Sequence, residues 1–359
     1  MTLFDENSKP KSPVRRIVGW SVGFVFAFGA FFLVAVPSPY LVENPGPVYN
    51  VLSDVGGTPI ISIEDQKSYP TSGELDMLTV VQSGTANRGA SWLSVGLAMF
   101  DPSQSIIAIS DVYPPGWDEE KRNEEADLMM LDSQANAKAA ALTLLDIPYE
   151  SSVKVTVVEK KGPAGGILKA GDTLLTIEGE IATGIDQVRA FVAATEGKRT
   201  VKLVVERAGK EVALEVLPKL IEEQWRMGIF VQNVPTFPFE IDIEIGNVGG
   251  PSGGQILALA IYDKLTPGAL TGGKQIAGTG TVSPEGLIGP IGGVVQKMYG
   301  AVRAGANWML VPAKNCSEVL GNIPEGLNVI KVSNLDDSLK AVDAIARGVS
   351  TNQLPTCKK

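Results

Sequence analysis

The chain has 359 residues, with 31 Lys+Arg against 40 Asp+Glu and a net charge of −9, which excludes the basic surface a nucleic-acid binder needs. It holds no histidine and only 2 cysteines, which removes the Ser-His-Asp triad, the Cys-His pair, histidine zinc sites, zinc–cysteine clusters and iron–sulfur centres. The length allows about two or three domains, and acid–base chemistry is left to Lys, Asp, Glu, Tyr or water.

Ile17 to Val36 carries no charged side chain, and at 1.5 Å per residue it is about 30 Å long, the thickness of a bilayer's hydrocarbon core. Lys9, Lys11, Arg15 and Arg16 precede it, and Glu43 is the first charge after it. The pattern predicts a single-pass transmembrane anchor at 17–36, a cytoplasmic N-terminus at 1–16, and an extracytoplasmic chain after Pro37. A cleaved signal peptide is the competing reading, with a shorter apolar stretch and a better cleavage site than Val34-Ala35-Val36-Pro37. In a compartment that can be oxidising, Cys316 and Cys357 are either a disulfide or two unrelated thiols. A bridge closing about 40 residues would contribute roughly 4 kcal/mol by chain entropy. It would pin the C-terminal tail, 351–359, to the last domain.

Residues 37–125 form a mixed segment. Pro37, Pro39, Pro45 and Pro47, with Gly46, read as a stiff exit from the membrane. Short β-like runs follow at Leu78–Val81 and Ile106–Ile109, then an acidic loop from Trp117 to Glu125 that reads as solvated surface. Met129 to Leu145 reads as an Ala-rich helix.

From Ser151 to Leu220 the pattern is strand, loop, strand, helix, strand. Val153, Val155 and Val157 alternate with Lys154 and Thr156, as in a half-buried strand. The loop Gly162-Pro163-Ala164-Gly165-Gly166 leads to Ile167 and the Ala170-Gly171-Asp172 turn, and Ile185 to Ala194 puts Val188, Phe191 and Val192 on one helical face. The string from Gly166 to Gly179 (GILKAGDTLLTIEG) resembles PDZ domains of the bacterial protease-associated kind. The resemblance implies a PDZ domain over 126–220, counting the preceding helix, that takes an extended peptide as an added strand beside a helix, with Gly165, Gly166 and Ile167 at the peptide. An unrelated small β-domain is the alternative.

In the last segment, Phe239, Ile241, Ile243 and Ile245 alternate with Glu240, Asp242 and Glu244 and predict a strand. It runs into Gly246-Asn247-Val248-Gly249-Gly250-Pro251-Ser252-Gly253-Gly254 and an apolar helix from Gln255 to Leu265. A serine in a glycine-flanked strand-to-helix turn is either a nucleophile beside unpaired helix N–H groups or a simple helix cap. A second strand, Ile276–Val282, a Pro284-Glu285-Gly286 turn and a helix from Val294 to Ala304 follow. Lys297 sits within the apolar stripe of Val294, Met298 and Ala301, so it must snorkel to solvent or lie desolvated.

Gly250-Pro251-Ser252-Gly253-Gly254, Thr279-Gly280 and the run Gly289-Pro290-Ile291-Gly292-Gly293 through Lys297 to Ala306 resemble the proteolytic domain of the Lon protease family. The resemblance implies Ser252 as nucleophile, Lys297 as general base and Thr279 as the residue that orients the lysine. Gly250, Pro251 and Gly253 would surround the oxyanion, and no metal or cofactor is used. Many family members carry an acidic residue where this chain has Gly249. Gly268-Ala269-Leu270-Thr271-Gly272-Gly273-Lys274 imitates a phosphate loop, but Gln275 stands where Ser or Thr is needed, so no ATP site is read there.

The fold class expected is a transmembrane helix followed by an α+β multi-domain chain: a β-rich PDZ-like domain and an α/β Lon-type domain at 222–350. The function implied is an ATP-independent, membrane-anchored serine endopeptidase acting on peptides or unfolded proteins, with a PDZ-bound peptide as substrate or regulator. The alternative is a non-catalytic PDZ scaffold with a latent protease domain. The family resemblance also suggests a homo-oligomer of six subunits.

Overall fold

A computed structural model describes residues 13–221, 223–246, 248–350 and 353–358. The chain opens with α1 (Pro13–Ala35), β1 (Tyr40–Asn50), β2 (Ile61–Ile63), β3 (Glu74–Ser83), α2 (Trp92–Ala98), β4 (Ser105–Ala108) and α3 (Glu119–Leu144). A β-rich module follows: β5 (Glu150–Val158), β6 (Thr173–Ile177), α4 (Ile185–Ala194), β7 (Val201–Arg207), β8 (Lys210–Val216) and β9 (Ile229–Thr236). The remainder is β10 (Ile241–Ile243), α5 (Gly254–Leu265), β11 (Gln275–Gly278), β12 (Thr281–Val282), β13 (Ile288–Gly289), α6 (Val294–Arg303), β14 (Trp308–Pro312), α7 (Cys316–Val319), β15 (Asn328–Val332) and α8 (Leu335–Ala346).

The expected membrane anchor is corrected. Among the described residues no helix is long and apolar enough to cross a membrane. A span needs about 20 consecutive apolar residues. The transmembrane part of the fold class, the single-pass location and the extracytoplasmic placement therefore fall away. Of Lys9, Lys11, Arg15 and Arg16, on which the orientation rested, Lys9 and Lys11 lie outside the described residues.

The main sheet has 6 strands in the order β15-β14-β11-β3-β1-β4. β3, β11, β14 and β15 run parallel, and β1 is antiparallel to both β3 and β4. Residues 37–125, whose role was not legible, thus supply half of the sheet that the C-terminal segment completes. Adjacent residues on each parallel strand face opposite layers, because strand side chains alternate. Met77, Ile276, Leu310 and Ile330 meet α3, α5 and α8 on one face, while Leu78, Ala277, Met309 and Val329 meet α6 on the other.

The proline-rich stretch read as a linker is the middle of β1. Its register against β3 shifts between Pro45 and Val48, where the prolines lack N–H donors. A Cβ on Gly46 would lie 2.4 Å from Thr79 Oγ1, so only glycine passes there. The acidic stretch read as surface loop starts α3 instead: the Asp118 side chain accepts from Lys121 N–H, and Glu119 and Glu120 occupy the first turn.

The inserted module has its own core, with Val153, Val155, Leu174, Ile177, Val188, Val192, Leu203 and Val205. Its antiparallel order is β8-β7-β6-β5-β9. β9, assigned from sequence to the last segment, pairs with β5, and α3, grouped with this module from sequence, packs in the main core. Asp172, 1% exposed, is held by Arg207 at 2.7 Å, which keeps its carboxyl below the usual carboxylate range. Cys316 and Cys357 form a disulfide, and Lys331 N–H donates to Pro355 C=O, so the tail runs beside β15.

Candidate active site

Two helices on opposite faces of the sheet meet at the C-terminal end of β11. α5 brings Ser252 from one side, α6 brings Lys297 from the other, and Thr279 follows the last residue of β11.

The glycine-rich loop before α5 is glycine-rich because its neighbours leave no room. A Cβ on Gly249 would meet Ala126 Cβ at 2.8 Å, one on Gly253 would meet Met77 Sδ at 2.4 Å, and one on Gly254 would meet Ser133 Oγ at 2.9 Å. Gly250 has φ of 88°, in the left-handed region that favours glycine. Gly249, where the resemblance led us to expect an acidic side chain, is thus closed off by Ala126 of α3. Asn247 lies outside the described residues.

The loop is pinned from two sides. Gly250 N–H donates to Ala126 C=O (2.8 Å), and Ser133 Oγ donates to Pro251 C=O (3.0 Å). From β11, Gly280 N–H (2.8 Å) and Thr279 Oγ1 (3.1 Å) donate to Ser252 C=O. Of the three residues assigned to the oxyanion, Gly250 has its N–H engaged and Pro251 has none. Gly253 and Ser252 itself retain N–H groups without a protein acceptor among the described residues.

Lys297 is 2% exposed, and its Nζ lies 2.7 Å from Ser252 Oγ and 3.2 Å from Thr279 Oγ1. It does not snorkel. Burial pushes its ammonium down from 10.5 to about 8, opposed in part by the charge of Glu43. Thr279 is fully buried and donates to Ser252 C=O, which turns an oxygen lone pair toward Lys297. One lysine N–H is thereby fixed on Thr279, and the nitrogen faces Ser252 Oγ. Glu43, in β1, is the residue that sequence reasoning missed. It is separated from Lys297 by most of the chain, and no spacing rule joins them.

A second concavity, about 850 Å³, lies between α4 and the edge strand β9. Val188 and Val192 of α4 face Met227, Ile229 and Val231 across it. Gly165, Gly166 and Ile167 do not line it. They sit in the turn after β5, where Ala164 N–H donates to Met227 C=O (2.8 Å) and braces the groove from behind. The sequence reading followed the Ala-Gly-Asp turn, whereas the groove is completed by residues of β9 and the turn before it.

Residues 238–344 match the family model described as the Lon protease (S16) C-terminal proteolytic domain. Lon protease 2 of Herpetosiphon aurantiacus is 32% identical over 165 residues, covering 44% of this chain and 20% of that protein. The Lon protease of Rickettsia felis is 30% identical over 177 residues, covering 48% of this chain and 21% of that protein. The chain therefore spans about a fifth of the length of these curated relatives. A solved PDZ domain of an SdrC-like protein from Listeria monocytogenes is similar at 21% identity and a TM-score of 0.21, covering 22% of this chain and 85% of that one. The sequence matches agree on a hydrolase of the serine-peptidase class.

Proposed function

We propose that the chain is an ATP-independent endopeptidase in which Ser252 is the nucleophile and Lys297 the general base, acting on extended or unfolded polypeptide. The observation that carries this reading is the 2.7 Å contact between Lys297 Nζ and Ser252 Oγ at a lysine that burial holds near 8. At pH 7.4 such a lysine is neutral in roughly one molecule in five, against about one in a thousand for a free lysine. Independence from ATP is supported by the loop Gly268–Lys274, which leads into β11 rather than a helix and is followed by Gln275.

In the proposed acylation, the lone pair of neutral Lys297 takes the Ser252 hydroxyl proton as Oγ bonds to the peptide carbonyl carbon. The carbonyl π pair moves to oxygen, where the N–H groups of Ser252 and Gly253 hold it. The oxyanion then collapses, the C–N bond breaks, and the ammonium returns its proton to the leaving amine. Water repeats the sequence on the acyl-enzyme. Thr279 orients the lysine throughout. The groove between α4 and β9 is read as a PDZ-type site, where an extended peptide adds to the free edge of β9.

The test is labelling of the full chain with a fluorophosphonate from pH 6 to 9.5, comparing wild type, Ser252→Ala and Lys297→Met, alongside cleavage of an unfolded reporter. Labelling and cleavage are expected to need both residues and to rise through a midpoint near 8. Equal labelling or cleavage by the Ser252→Ala variant would refute the assignment.

A further inference from the structure

Glu43 is 7% exposed on β1, beside Leu41 and Val42, which belong to the core. An ionised carboxylate in such a place is costly unless a charge or hydrogen bonds answer it. Its hydrogen-bond donor is the Ser105 hydroxyl, at a long 3.4 Å from Oε2. No Lys or Arg forms an ion pair with it within 4 Å among the described residues. The carboxylate instead approaches the start of α6, where Oε2 lies 3.2 Å from the place a Cβ would occupy on Gly293. Gly293 stands at the N-cap with φ of 67° and no side-chain cap. Glycine here leaves space for the carboxylate, and the open N-terminal turn favours its charge. Lys297 lies one helical turn further on, with Lys297 N–H bonded to Gly293 C=O (3.0 Å).

The other charges around α6 lie away from its first turn or are bonded to other groups. On β3, Glu74 and Asp76 lie at the strand's start, and Asp76 is bonded to Gln275, which also donates to Ala304 C=O beyond the far end of α6. Arg303, in the last turn, donates to Ser103. On α7, Glu318 is exposed and accepts from Asn315, and β14 carries no charge. Glu43 is the carboxylate at the end of α6 from which Lys297 reaches Ser252.

We propose that Glu43 is the buried counter-charge of Lys297, a positioning residue that stabilises the ammonium formed when Lys297 takes the Ser252 proton. This rests on the Ser252–Lys297 reading above. The negative charge has two opposed effects. It keeps part of the lysine protonated at rest, and it lowers the energy of the charged state reached during acylation. Removing it makes the base available at lower pH but weakens the step itself.

The experiment measures the rate of fluorophosphonate inactivation against pH in the full chain for wild type, Glu43→Gln and Glu43→Asp, with Ser252→Ala as reference. The amide is expected to move the midpoint toward acid by about one unit and to lower the alkaline plateau about tenfold, so the deficit shrinks as pH falls. Glu43→Asp is expected to keep the wild-type midpoint. If the amide variant does not fold, Glu43→Met removes the same charge with an apolar side chain. A neutral variant with an unshifted midpoint, whatever its rate, overturns the proposal, because a structural defect scales the rate equally at every pH. Labelling of Ser252→Ala equal to wild type would instead sink the dyad reading itself.

Discussion

Lys297→Met is expected to abolish activity and, at neutral pH, to make the protein more stable. Burial lowers the Lys297 pKa from 10.5 to about 8, with the residue 2% exposed. A difference of roughly two and a half units corresponds to about 3 kcal/mol. Below pH 8 both folded and unfolded chains carry the ammonium, and the folded state bears the full cost of burying it. Between 8 and 10.5 the unfolded chain binds the proton and the folded chain does not, so stability rises with pH. Above 10.5 the penalty is gone. Methionine has a similar unbranched shape and no charge, but it forfeits the bonds to Ser252 Oγ and Thr279 Oγ1, about 1 kcal/mol in all. The variant is therefore expected to gain about 2 kcal/mol at pH 7 and to lose about 1 kcal/mol at pH 10.5. Urea denaturation of both proteins across that range measures the difference directly. A difference that stays flat from pH 7 to 10.5 would refute the claim that Lys297 is held desolvated.

Ser133→Ala removes the hydroxyl that donates to Pro251 C=O at 3.0 Å, beside Ser252. The orphaned carbonyl should destabilise the fold by about 1–2 kcal/mol. Displacement of Ser252 should lower kcat about tenfold with KM little changed, as steady-state cleavage of an unfolded reporter would reveal. Cys316→Ser and Cys357→Ser remove one disulfide with a sequence separation of 41. Each alone, and the pair together, should lower the unfolding free energy by the same amount, about 4 kcal/mol. A reductant should destabilise the wild type equally and leave the variants unchanged.

Much of the site was legible in one dimension. Glycines around Ser252 mark a loop into which other backbones and side chains press, as Ala126, Met77 and Ser133 do. A lysine inside the stripe of Val294, Met298 and Ala301 marks a charge placed on a buried helix face. Periodicity located α4 and α5 closely, because their apolar faces are local properties of consecutive residues. The absence of histidine from the sequence narrowed the chemistry to other bases before any fold was considered.

What stayed hidden was long-range. β1, with its prolines, is a strand because β3 and β4 pair with it, although its local composition argues for a linker. The apolar stretch at 17–36 suggested a membrane anchor, yet no described helix meets the length and apolarity that a span requires. The groove beside α4 is built with a strand distant in sequence, so the local Ala-Gly-Asp turn pointed to its back rather than its lining. Residue type and local spacing made Ser252 and Lys297 candidates, and the family resemblance gave them their expected roles. Only the tertiary structure put Ser252 Oγ and Thr279 Oγ1 against Lys297 Nζ and brought Glu43 to the start of the same helix, because a central sheet carries helices on opposite faces and a strand from early in the chain to the same end.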